Sequence, residues 1–209
     1  MSDKGRFIAL EGGEGVGKST QGRLLAEALH VRGHEVVTTR EPGGTPGAEA
    51  IRSMVLGTDG DGWGPRAEAL LFAAARADHV EKLILPAIAR GAWVVCDRFV
   101  DSSRAYQGGG GGLSDAEILD LHRIGSGAVM PDLTLLLSVP PEVTAERLAR
   151  RDGGKADRIG GRDAAYHARV AAAFIAFARS APERFAIIDA QGTPEEVHAR
   201  VMAAVGGIA

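Results

Sequence analysis

The 209-residue sequence contains no asparagine and one cysteine, Cys96. One thiol cannot build a disulfide framework or a cysteine-ligated zinc site, and without asparagine there is no N-glycosylation acceptor. Aromatic residues make up only 5% of the chain. Lysine is also scarce: Lys4, Lys18, Lys82 and Lys155 are the only four among 24 basic residues, and the other twenty are arginine. No apolar stretch approaches the length of a membrane-spanning helix. The short apolar run that follows Arg6 is too brief for a signal peptide. With 24 basic against 27 acidic side chains the net charge is −3, which gives no global attraction to nucleic acid. These absences lead to the expectation of a soluble cytoplasmic protein that engages neither membrane nor nucleic acid.

Glycine, by contrast, is abundant: 29 residues, about twice average usage. There is no Gly-X-Y period, proline stops at nine and hydrophobic residues reach 45%, so collagen and generic disorder are excluded. The glycines are local tools, placed where backbone turns tightly or approaches a ligand. The length suits one domain, 1–209, with no interdomain linker.

Continuous apolar runs at Phe7–Leu10, Val36–Thr39, Trp93–Cys96, Leu133–Val139 and Phe185–Ile188 predict five strands buried on both faces of a parallel sheet. Helical spacing lies between them, over Lys18–Arg32, Ala48–Leu56, Pro65–Arg90, Ser114–Ile124, Glu142–Arg151, Ala164–Arg179 and Pro194–Val205. Ser114 with Glu117 reads as a capping box, Pro65 and Pro194 suit helix starts, and Gly33 and Gly91 suit helix stops. The alternation predicts an α/β fold: a doubly wound five-stranded parallel sheet flanked by helices.

Gly12-Gly-Glu-Gly-Val-Gly-Lys-Ser satisfies the phosphate-loop pattern G-x-x-x-x-G-K-[ST], directly after the first strand and before the first helix. Its glycines let successive N–H groups converge on phosphate oxygens, and the helix N-terminus adds its positive end. The ATP-binding candidates are therefore Gly12, Gly13, Glu14, Gly15, Val16, Gly17, Lys18, Ser19 and Thr20. Lys18 is expected at the β- and γ-phosphates, and Ser19 on Mg²⁺. A GTPase would carry an [NT]-K-x-D segment. The nearest stretch, Gly154-Lys-Ala-Asp157, lacks its first residue and follows no strand. Motor ATPases are usually longer than this chain.

The third strand ends in Asp97-Arg98, an arrangement that places a carboxylate near Mg²⁺ and a guanidinium fork near an acceptor phosphate. Arg40-Glu-Pro-Gly-Gly-Thr45 follows the second strand at the same end of the sheet. Phe72 and Arg76 share one helix face, where a ring could stack on a planar base while the fork bonds its edge. Arg76 lies in an apolar stretch, so its charge needs a partner. These residues by themselves leave open a P-loop kinase for another deoxynucleotide, a nucleoside or a small metabolite, and also a nucleotide-binding module without turnover.

Glu11-Gly-Gly-Glu-Gly-Val-Gly-Lys-Ser, Thr39-Arg-Glu-Pro-Gly-Gly-Thr, Phe72-Ala-Ala-Ala-Arg-Ala-Asp-His, Asp97-Arg-Phe-Val-Asp-Ser-Ser-Arg-Ala-Tyr-Gln-Gly-Gly-Gly and Pro131-Asp-Leu-Thr together resemble bacterial thymidylate kinases, nucleoside monophosphate kinases of the P-loop class. The resemblance covers nearly the whole chain. It implies Mg²⁺- and ATP-dependent phosphorylation of dTMP to dTDP, in dTTP biosynthesis, by a homodimer. It further implies that Arg98 binds the dTMP phosphate with Arg40 nearby, that Phe72 stacks on thymine and Arg76 bonds its edge, and that Ser103 addresses the base. Tyr106 would lie against the sugar and favour deoxyribose, with Gln107 beside it. Glu14 would sit near the 3′-hydroxyl and the metal shell.

Where some relatives have an arginine after that acidic residue, this chain has Gly15. The catalytic arginines are then expected from a lid at about 150–162. Arg150, Arg151, Lys155, Arg158 and Arg162 cluster there between glycine pairs, with Arg151 and especially Arg158 as donors to the transferring phosphoryl group. Two further departures stand out. Gly111 replaces an arginine that usually follows the glycine run, with Arg104 a candidate substitute, and Gly160 replaces a lid glutamate.

Overall fold

The computed structural model describes residues 5–57, 62–140, 142–144, 146–147 and 158–208. Five parallel strands are present: β1 (Arg6–Glu11), β2 (Val36–Arg40), β3 (Trp93–Asp97), β4 (Leu133–Ser138) and β5 (Phe185–Asp189). Their order in the sheet is β2-β3-β1-β4-β5, so β3 is inserted between the first two strands of the chain. The expected doubly wound α/β fold is therefore the observed one.

Each strand feeds a helix. Helices among the described residues include α1 (Lys18–Val31), α2 (Pro46–Leu56), α3 (Pro65–His79), α4 (Leu85–Ala89), α5 (Val100–Ser103), α6 (Asp115–Ser126), α7 (Ala164–Ser180) and α8 (Pro194–Val205). Both sheet faces are covered, which is why the strands read as unbroken apolar runs. Ile8 and Leu10 of β1 pack with Leu25 and Leu29 of α1 and with Val197, Val201 and Val205 of α8. Phe7 and Ala9 point the other way, onto Val80, Ile84, Ala87 and Phe99. A third cluster joins Tyr106, Tyr166, Val170 and Phe174 beyond the edge of β4.

The capping signals act as expected. Ser114 accepts from the Glu117 amide, and the Glu117 carboxylate accepts from the Ser114 amide in return. Thr193 and Glu196 form a second such box at α8, where Pro194 occupies the first turn. Gly33 and Gly91 adopt positive φ at the helix ends.

Three boundaries differ from the sequence reading. The helix expected over Pro65–Arg90 is interrupted by a π-helical turn at Val80–Ile84 between α3 and α4. The strands end on polar residues that apolar periodicity omits: Glu11, Arg40, Asp97 and Asp189. The glycine run after Gln107, whose composition disfavours a helix, is nonetheless mostly helical: α5 continues into a π-helix over Arg104–Gly110. Packing explains it. A Cβ at Gly109 would come within 2.7 Å of the Ala173 Cβ, and one at Gly110 within 2.5 Å of the Tyr166 ring, so glycine here admits α7 at close range.

Candidate active site

The carboxyl ends of β1, β2 and β3 meet at one edge of the sheet, where α/β proteins bind ligands. In register, Leu10 and Arg40 both pair with Asp97, which brings the three motifs following those strands side by side. A cavity of about 480 Å³ opens there. Its walls include Glu14, Gly15, Gly17, Lys18, Ser19 and Thr20 at one end, and Phe72, Arg76, Ser103, Tyr106 and Gln107 at the other. Asp97, Arg98 and Arg40 lie between.

In the phosphate loop, Gly12, Gly15 and Gly17 have φ of 133°, 70° and 99°, which a side chain would disfavour. Gly17 precedes α1 in a left-handed conformation. Val16 is buried in the core below the loop, and Gly13 supplies a carbonyl to Lys18. The buried Lys18 ammonium donates to Gly13 O at 2.6 Å and Gly12 O at 3.1 Å. Burial first, and then the neighbouring Arg98 cation, lower its pKa to about 8. Ser19 Oγ donates to Asp97 Oδ2 at 2.8 Å. The other carboxylate oxygen, Asp97 Oδ1, is buried with no hydrogen-bond partner among the described residues.

Arg98 adopts φ of 71°, a left-handed conformation unusual for a long side chain. Its backbone is held by its amide donating to Leu10 O at 2.9 Å and by the Cys96 thiol donating to its carbonyl at 3.0 Å. The next residues are pinned by Glu11, which accepts from the amides of Phe99 at 2.8 Å and Ser102 at 3.0 Å. Burial and the nearby Asp101 carboxylate carry Glu11 up to about 7. The Arg98 fork donates to Gly12 O at 3.0 Å and to Glu14 Oε1 at 2.8 Å. Its guanidinium carbon lies 5.0 Å from the Tyr106 ring centre. The P-loop, the acidic Glu14 and the strand-end arginine thus form one connected unit.

At the far end, Arg76 and Glu41 form an ion pair at 2.7 Å with side chains only 3% and 4% exposed. Glu41 is the partner that the apolar setting of Arg76 demands. Its second oxygen meets His79 Nδ1 at 3.0 Å, and His79 Nε2 meets Thr39 Oγ1 at 2.7 Å. Held this way, Arg76 donates to Ser103 Oγ at 2.8 Å. Phe72 is half-buried beside it and faces the cavity. Arg40 stays more exposed, paired with Glu49 at 3.1 Å. Gln107 donates to Glu68 at 2.9 Å.

Of the arginine-rich segment, Arg150, Arg151 and Lys155 lie outside the described residues. The Arg158 guanidinium lies against Gly62, where a Cβ would be 2.6 Å from Nη1, and its neighbour Ile159 lines the cavity. Arg162 turns away from the P-loop onto Glu68 and Tyr166. Arg104 is paired with Asp101 and Asp115.

Sequence reasoning missed four residues here. Arg147 lines the cavity and donates to Ala190 O at 2.9 Å, and Arg52 lines it and donates to Pro42 O at 2.7 Å. Both sit in ordinary amphipathic stretches that carry no motif. Glu41 was inside a quoted motif and Glu68 near another; the question of what neutralises Arg76 would have found the first.

The family model described as thymidylate kinase matches residues 10–201. The thymidylate kinase of Rhizorhabdus wittichii is 57% identical over 204 residues, covering 98% of each chain. That of Caulobacter vibrioides is 48% identical over 198 residues, covering 95% of this chain and 94% of its own. The crystal structure of thymidylate kinase from Ehrlichia chaffeensis superposes with a TM-score of 0.78 at 32% identity, covering 96% of this chain and 98% of that one. A match of this extent, on a chain whose P-loop opens into the same cavity as Arg98, Phe72 and Arg76, places the protein in the thymidylate kinase family.

Proposed function

We propose that this chain transfers the γ-phosphoryl group of ATP to the phosphate of dTMP, yielding ADP and dTDP. The observation that carries this reading is the two-ended cavity: a P-loop at one end, a planar-base pocket at the other, and Arg98 between them. A dTMP phosphate oxygen, already deprotonated at neutral pH, attacks the γ-phosphorus. The bond from that phosphorus to the β,γ-bridging oxygen breaks, and ADP departs with the electron pair. No general base is required, so the protein's work is positioning and charge stabilisation. Lys18 and the loop amides hold the donor phosphates, Arg98 and Arg40 the acceptor phosphate, and Glu14 the sugar edge. Arg151 and Arg158 supply further cationic donors from the 150–162 lid, within a single domain.

Ser19 and Asp97 fit Mg²⁺: a hydroxyl and a carboxylate lie 2.8 Å apart, and Asp97 Oδ1 is buried with no hydrogen-bond partner among the described residues. Bound there with ATP, the ion would neutralise charge on the phosphates. Asp97→Asn is expected to raise the Mg²⁺ concentration for half-maximal rate about tenfold, read from a magnesium titration.

Phe72 supplies the stacking face for thymine. Phe72→Ala is expected to raise KM for dTMP about tenfold with little change in KM for ATP, as loss of one base–aromatic stack implies. Leu70 on α3 and Ile124 on α6 are exposed apolar side chains on helices that pack together, and we read the protein as a homodimer. No helix among the described residues is long and apolar enough to cross a membrane. We read the protein as acting in the cytoplasm, without nucleic-acid partners.

The deciding experiment measures ADP release with Mg²⁺ and ATP across dTMP, dUMP, UMP, dCMP, dGMP, AMP and thymidine. Stimulation by dTMP above the others is the expected result. No stimulation by dTMP would overturn the reading, and equal rates with dTMP and UMP would remove the roles given to Tyr106 and the base pocket.

A further inference from the structure

Arg162 reads in the sequence as one more cation near the transferring phosphoryl group, but its guanidinium is engaged elsewhere. Nη2 donates to Glu68 Oε2 at 2.5 Å, and Nη1 donates to the Tyr166 hydroxyl at 2.7 Å. The guanidinium carbon also lies 4.6 Å from the centre of the Tyr166 ring. Both partners pass the connection inward. The other oxygen of Glu68 accepts from Gln107 Nε2 at 2.9 Å, and the Tyr166 hydroxyl donates to the Tyr106 carbonyl at 2.8 Å. Burial raises the Tyr166 pKa to about 12, so the hydroxyl keeps its proton and remains a donor.

One guanidinium thus closes a loop of hydrogen bonds around the Tyr106–Gln107 dipeptide, gripping it from both sides. Both residues line the main cavity. Glu68 and Gln107 are each 2% exposed, so the carboxylate needs a cation and the amide cannot turn to water instead. The grip is also needed mechanically. The dipeptide belongs to a π-helical turn that runs straight into a glycine run, and such backbone has little rigidity of its own. A smaller cavity of about 230 Å³, lined by Trp63, Gly110 and Gly111, lies on the outer side of this network.

Resting on dTMP as the acceptor, we infer that Arg162 is a positioning residue for the sugar wall of the acceptor site: through Glu68 and Tyr166 it fixes Tyr106 and Gln107, and so sets affinity for the deoxynucleotide and discrimination against ribose. It is not a donor to the transferring group. The distinction matters because the two roles divide the kinetic constants differently. A donor present only in the transition state lowers kcat, whereas a misplaced sugar wall raises KM for the acceptor.

The test is steady-state kinetics of Arg162→Ala and Tyr166→Phe with dTMP, and with dUMP and UMP, which differ at the 2′ position. Arg162→Ala is expected to raise KM for dTMP about tenfold and to reduce the preference for dUMP over UMP at least threefold. Its kcat and its KM for ATP should stay within twofold. Tyr166→Phe, which deletes only the hydroxyl in the loop, should move the same two readouts in the same direction by a smaller factor, even if loss of the Glu68 counter-charge lowers the stability of the first variant. A tenfold fall in kcat, or an unchanged KM for dTMP in both variants, overturns the assignment. Absence of dTMP-stimulated turnover in the unmodified protein is a separate result, and it would overturn the kinase reading as well.

Discussion

Lys18→Ala is expected to lower kcat by about 10³-fold while leaving the fold intact, since removal of one preorganised donor at the reacting phosphates costs on this scale. The ammonium is already buried and aimed: it bonds the Gly12 and Gly13 carbonyls at the mouth of the P-loop. Nothing in the hydrophobic clusters depends on it, so circular dichroism and the cooperative urea transition should survive. Turnover within tenfold of the unmodified protein would disprove the role. The same residue predicts a pH dependence. In the folded state its pKa is lowered from 10.5 to about 8, with burial the chief cause. Between those values the unfolded chain binds the extra proton and the folded one does not, so stability gained from this site rises with pH across that window. Activity moves the opposite way: above pH 8 the cation must be regained on binding phosphate, and KM for ATP should climb. Lys18→Ala should abolish this stability increment, measured as the difference in urea midpoints at pH 7.5 and 9.5.

The second large effect falls on the acceptor. Arg98→Ala is expected to reduce kcat/KM for dTMP by about 10²–10³-fold, the worth of two charge-assisted hydrogen bonds at roughly 1.5–2 kcal/mol each. KM for ATP should change little. The fork matters as much as the charge. Arg98 reaches Gly12 O and Glu14 with different nitrogens, an arrangement one ammonium cannot reproduce, so Arg98→Lys should recover less than a tenth of the loss. Steady-state constants with dTMP varied at saturating ATP decide this. An Arg98→Ala enzyme within tenfold of the unmodified protein on dTMP would remove Arg98 from the acceptor site.

How far the site could be read in advance depends on the range over which each signal acts. The P-loop and the strand-end Asp97-Arg98 pair were legible because the chemistry demands particular residue types at fixed spacing on a local strand–turn–helix path. The five strands were legible because burial on both faces leaves a continuous apolar run. The other polar strand ends were not, since Glu11 and Arg40 join the ladder through backbone hydrogen bonds that hydropathy does not register. The glycine run after Gln107 misled for a different reason. Low helix propensity argued for loop, yet the need to seat Ala173 and Tyr166 of α7 against bare backbone outweighed it. Partners far apart in the chain were the least visible. Arg76 with Glu41, and Glu68 with Arg162, lie 35 and 94 residues apart, and only the assembled fold shows which charge meets which.

The strand order also has a consequence for how the chain matures. β1 and β2 do not touch; β3, whose first residue is Trp93, lies between them. A growing polypeptide that has emerged only as far as α4 therefore holds a complete P-loop on a strand with no neighbour in the sheet. Arg40 and Glu41 have no fixed distance from it until β3 inserts. Long-range parallel pairing of this kind is slow to form. Recovery of dTMP kinase activity on refolding should accordingly lag behind helix formation and coincide with completion of the central strands.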